Sequence, residues 1–227
     1  MRALSLLALS LAVSSTAALA ATESRKIADF SAIEVGGGVT LEVKKGATSL
    51  TIEGSPEVIK HYETEVKDGV LHIRNTSKAW LKNDGDVTIR VTTPSLSRLN
   101  ASGGVHASLT DVAAPKFAAE LSGGVELDAP RLALDTFELE ASGGVNLTIS
   151  GKARDARMNL SGGVELKGKG LEIAQAQVNA SGGCTADLTV KESIAGDISG
   201  GVGLTVRGNP PKSRVHTGGG AGVDYVD

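Results

Sequence analysis

The four residues Ser-Gly-Gly-Val, once Ser-Gly-Gly-Cys, recur from Ser102, Ser122, Ser142, Ser161, Ser181 and Ser199, at intervals of 20, 20, 19, 20 and 18 residues. A fixed period of that size constrains the fold more than anything else in the chain. It marks stacked units, none of which buries its own apolar face without its neighbours. Before each of these pivots apolar residues alternate, as in Phe117, Ala119, Leu121 and Phe137, Leu139, Ala141; beyond it alternation resumes with Val125, Leu127 and Val145, Leu147. A period of two means strand. Two short strands therefore meet at a glycine corner, and a third apolar stretch, as at 132–134 and 171–173, forms a further side. Glycine makes up 29 of 227 residues, nearly twice the usual ~7%. Each glycine costs roughly 0.5–1 kcal/mol of chain entropy relative to alanine, so the enrichment needs a geometric reason. The corners supply it: one glycine of each takes a positive φ, and the small serine fits where strands stack closely.

Helices are excluded by the period and by the glycine pairs. Strands wound in one direction and stacked about 4.8 Å apart would place each pivot above the last, and parallel crossovers are right-handed. The expectation is an all-β, single-chain right-handed parallel β-helix, a solenoid of about 20 residues per coil, with an irregular β-rich N-terminal coil and cap. Residues 21–98 contain strand-like runs ("FSAIEVGGGVTLEVKKG", "SLTIEG", "GVLHIRN", "DVTIRVTTP"), an early irregular pivot ending at Val39, and a short helical turn after Ser55. These are assigned to earlier coils plus the cap, continuous with regular repeats over 99–227. Pro210, Pro211, Lys212 and Arg214 discourage edge pairing at the far end. The final "GVDYV" either closes the stack or pairs with another copy.

Residues 1–20 read as a cleavable signal peptide: a basic start at Arg2, an apolar stretch too short for a membrane span, and a small-residue site at 18–20. No cysteine follows the cut, so a lipid anchor is not expected there. The location implied is the periplasm or the exterior. A net charge of −3 and a pI near 5.9 provide no basic footprint for nucleic acid or anionic lipid. Cys184 is the lone cysteine, so no disulfide forms within the chain. It replaces a valine at an inward position and reads as a small buried hydrophobe; the competing reading is a reactive or intermolecular thiol.

Chemistry is sparsely signalled. Neither Gly-rich phosphate fingerprint is present, and no serine lies in G-x-S-x-G near an evident base. No cofactor, metal centre or catalytic residue is expected. The most informative column lies two residues before each pivot serine: Asn100, Glu120, Glu140, Asn159, Asn179 and Asp197. These project outward as one polar ladder. Stacked asparagines share side-chain hydrogen bonds, whereas Glu120 beside Glu140 sets like charges on adjacent strands. Three readings stand: a solvated acidic face, a weak cation site, or a carboxylate pair for acid/base work. Beyond the corner Glu126, Asn146 and Glu165 form a second outward column. Aromatic platforms for sugar stacking are few. Phe117 and Phe137 point inward, and Trp80 reads as a loop anchor.

The opening "FSAIEVGGGVTLEVKKG", the run "VKDGVLHIRN", the segment "VTIRVTTPSLSRLNASGGV" and the recurring S-G-G-V corners resemble the bacterial head GIN domain family of auto-transporter adhesins. The likeness covers the chain beyond residue 20. It implies a secreted β-helical protein with an adhesin role, and brings no catalytic residues with it. The functional expectation is a non-enzymatic secreted or periplasmic protein that binds an unidentified protein or polysaccharide surface or acts as an envelope scaffold, with homo-oligomerisation through the terminal coils as a further possibility. The alternative is a β-helical enzyme acting on acidic polysaccharide.

Overall fold

The computed structural model describes residues 21–76 and 87–227. The proposed signal peptide and Trp80 lie outside the described residues. After β1 (Ala21–Arg25), β2 (Ala32–Gly36) leads to the first corner and β3 (Val39–Lys45) leaves it. Then come β4 (Ser49–Gly54), the single turn α1 (Pro56–Ile59), β5 (Tyr62–Lys67), β6 (Val70–Asn75), β7 (Thr88–Thr93), β8 (Arg98–Ser102) and β9 (Val105–Thr110). The strand β10 (Val112–Gly182) bends through successive corners over 71 residues. It is followed by β11 (Thr185–Gly200), β12 (Gly203–Arg207), β13 (Lys212–Gly218) and β14 (Gly222–Val226). Ser55 stands at the N-cap of α1, as its position suggests, but its side chain makes no capping bond.

All strands join one curled sheet. The flank leading into the corners runs in the order β5, β6, β2, β8, β10, β11, β13; the flank leaving them runs β1, β4, β7, β3, β9, then β10, β11, β12 and β14. Successive repeats pair in parallel and in register: Glu120 lies beside Asn100, Val125 beside Val105, and Ser199 beside Ser181. Hence the inward alternation is kept from rung to rung, and Leu99, Val105, Val145, Cys184 and Val206 are all fully buried. Phe117 and Phe137 stack with ring planes 2° apart and centroids 6.2 Å apart within this interior.

A right-handed parallel β-helix throughout is not the fold. The sheet is mixed and curled like a half-barrel, with antiparallel pairing of β1 with β4, β4 with β7, and β5 with β6. Two local causes are visible. Asp68 and Gly69 both take positive φ, 51° and 75°, closing a tight Asp-Gly hairpin between β5 and β6. The chain then slides β6 and β7 beneath β2 and β3, and returns with β8 and β9 on their other side. The winding therefore does not advance in one direction. Arg25 ties the two flanks together at this end: its guanidinium donates to the carbonyls of Tyr62 and Ile59 and to the Thr64 hydroxyl. At the opposite end β14 pairs in parallel with β12.

Candidate functional site: a polar groove along the corners

The corner geometry sets what the site can be. In all eight corners the same glycine has a positive φ, between 65° and 94°: Gly37, Gly103, Gly123, Gly143, Gly162, Gly182, Gly200 and Gly219. A side chain there would also press on the rung below, since a Cβ on Gly143 would stand 3.1 Å from the backbone nitrogen of Gly123 and 3.2 Å from its oxygen. With no side chains filling the turn, the surface is left recessed. A groove of about 660 Å³ follows it, lined by Asn100, Glu120, Glu140, Asn159, Asn179 and Asp197 on one side and by the hydroxyls of Ser122, Ser142, Ser161, Ser181 and Ser199 on the other. Six positions one rung apart span about 24 Å.

Every residue of the ladder read from the sequence is thus brought into one continuous feature. Asn100 Nδ2 donates to Glu120 Oε2 at 3.2 Å, Asn179 Nδ2 to Asn159 Oδ1 at 3.1 Å, and the Asp197 backbone N–H to Asn179 Oδ1 at 3.3 Å. Glu140 and the five serine hydroxyls have no partner among the described residues. The lining carries three carboxylates, Glu120, Glu140 and Asp197, and no cationic side chain. The ladder is longer than its regular part. Glu34 lies beside Asn100, His72 beside Glu34 with Nδ1 to Oε2 at 3.0 Å, Glu65 beside His72, and His216 beside Asp197. The early pivot ending at Val39 carried that signal, because Glu34 stands two residues before Gly36, the equivalent of a pivot serine. The serine hydroxyls were read as corner filling and missed as groove lining.

The second column separates from the groove. His106 Nδ1 meets Glu126 Oε2 at 2.8 Å one rung above, and Glu165 pairs with Lys167 at 3.1 Å. Elsewhere ion pairs link neighbouring rungs: Arg90 holds Glu42 and Glu53, Arg207 holds Asp187, and Arg131 holds Asp111. The hydrogen bond from Arg131, with its charge, draws the Asp111 carboxyl below the usual carboxylate range. Cys184 is fully buried, with Sγ directed at the Ser181 carbonyl, 3.2 Å away. Among the described residues no set of three or more His, Cys, Asp or Glu side chains could hold a metal ion, and no helix is long and apolar enough to cross a membrane.

No curated protein matches the chain. Solved structures show the same fold. A putative adhesin from Bacteroides fragilis aligns over 92% of this chain and 98% of its own with a TM-score of 0.86 at 17% identity. A putative adhesin and a putative lipid binding protein, both from Parabacteroides distasonis, align over 92% of this chain and 97% of theirs, with TM-scores of 0.71 and 0.69 at 16% and 18% identity. At such identities the likeness concerns architecture. The family model described as "putative auto-transporter adhesin, head GIN domain" matches residues 29–210, most of the chain including every groove residue, and the protein therefore belongs to the head GIN domain family.

Proposed function

We propose that this is an exported, non-enzymatic adhesin-like protein of the periplasm or cell exterior, and that the groove along the corners is its contact face. The observation that carries the reading is the line of unpartnered groups: five serine hydroxyls and Glu140 present donors and acceptors at rung spacing, in register, on a rigid sheet. An extended polymer lying along the stack meets the same chemistry at every step. The matching chemistry is polyhydroxylated and either uncharged or amine-bearing, because three carboxylates without a cation repel an anionic chain. The same charge argues against an acidic polysaccharide as substrate and against an anionic lipid headgroup. Glu120 and Glu140 are both exposed on an open face, without the enclosure that gives two carboxylates opposed acid and base roles.

The test is binding of the purified protein to a panel of neutral, amine-bearing and uronic-acid glycans. Neutral or amine-bearing chains are expected to bind, and Asn159→Trp, which fills the middle of the groove, should weaken that binding by about tenfold or more. Preference for uronic acids, or their breakdown in a manner abolished by Glu140→Gln, would replace the reading with an enzymatic one.

A further inference from the structure

The rung formed by β13 and β14 is covered on one side only. β13 pairs with β11 and β14 with β12, and no described strand lies beyond either. Two consequences meet there. First, side chains at inward positions end without a layer above them: Val215 and Val223 are half-buried, and Tyr225 is 48% exposed while its hydroxyl reaches Ser213 across the interior. Second, outward charges lose their neighbours. Arg90, Arg131 and Arg207 each pair with a carboxylate one rung away; Arg214 on β13 and Asp224 on β14 have no such partner.

We propose that this rung is an interface for a second copy of the chain, related by a two-fold axis through the corner at Gly219. The axis bisects the two flanks, so it carries β13 of one copy over β14 of its partner and reverses its direction. The backbones then pair antiparallel, the twist-compatible way for two edges to join, and the contact is closed by symmetry. With Gly219 opposite its own copy, Val215 faces Val223 and Ser213 faces Tyr225 inside, while Arg214 faces Asp224 outside. The Arg214–Asp224 contact forms twice, once on each side of the axis. The basic residues on β13, Lys212 and Arg214, oppose pairing of β13 with itself, and so select this arrangement rather than forbid association. At the other end β1 and β5 are the outermost strands, antiparallel to their neighbours and tied together by Arg25. The two ends of the stack are thus built differently, with the Arg25 link at one and the Arg214 and Asp224 charges at the other.

Light scattering of the purified chain during gel filtration, over about a hundredfold range of concentration, reads the result. The expected product is a dimer. Arg214→Asp and Asp224→Arg should each raise the dimer dissociation constant by about tenfold or more, since each turns two attractions into repulsions. Combined in one chain they should restore the dimer. Both side chains point to solvent, so circular dichroism should be unchanged in all three variants. A monomer at every concentration overturns the proposal, as does growth beyond the dimer, which would mean a head-to-tail contact. Failure of the double variant to recover overturns the register. None of these outcomes bears on the glycan panel, so the groove and the interface stand or fall separately.

Discussion

At the scale of single residues the corner glycine governs the fold. Gly143 and Gly144 are neighbours with different duties: Gly143 has a φ of 90° and a crowded Cβ position, whereas a Cβ on Gly144 would sit an ordinary 3.8 Å from the Gly123 oxygen. Gly143→Ala should cost more than about 2 kcal/mol, from the left-handed backbone and the displaced rung. Gly144→Ala should cost under about 1 kcal/mol, read as the difference in thermal midpoint. Equal effects would contradict the assignment of roles within the corner. Val145 is fully buried, and Val145→Asp sets a charge among apolar neighbours with no partner. That variant should fail to fold or should aggregate, seen as loss of soluble protein, because a valine contributes about 1.5–3 kcal/mol by burial and the charge adds a desolvation cost. At the ladder, Glu140→Gln removes one of two like charges on adjacent rungs. The melting temperature should rise slightly at low salt and the gain should vanish at high salt. A gain that persisted in high salt would argue against repulsion as its cause.

At the scale of elements, the regular strands were legible because each repeat states its own inward and outward faces and its neighbour's register. Phe117 and Phe137, or Asn159 and Asn179, are set one above the other by position in the repeat alone. The antiparallel part was harder to read for a physical reason. Strands β4, β6 and β7 alternate as regularly as the others, and alternation fixes which face is buried without fixing direction or neighbour. The Asp68-Gly69 pair was the available signal for a reversal. Holding this end together falls to Arg25, on a strand with little apolar content. Arg25→Ala removes charge-assisted bonds to two carbonyls and a hydroxyl, and should destabilise by about 2 kcal/mol. Amide exchange should rise in β1 and β5 well before it rises in β10. Uniform exchange across the sheet would show that the two flanks do not depend on this link.

At the scale of the whole molecule, the all-β class and the stacked corners were legible in the sequence, because these depend on contacts that repeat. The way the first two rungs exchange places was not, since it depends on which of several similar edges a strand chooses. The groove follows the part that was legible. Its depth did not, since a recess is produced by what the corner glycines lack, and the serines beside them look structural until the surface is assembled.

The placing of β2 and β3 between strands made later in the chain bears on how the protein yields to force. A molecule anchored at one end and pulled at the other can shed β14, β12 and their neighbours one after another, as a zip opens. From the opposite terminus no such unzipping is open past the outer strands, because the earliest turn is clamped on both sides by segments that must leave first. Tension between the termini loads both ends equally, so the last rungs give way first whichever end is moved, and the clamped earliest turn parts only after the segments on either side of it have gone.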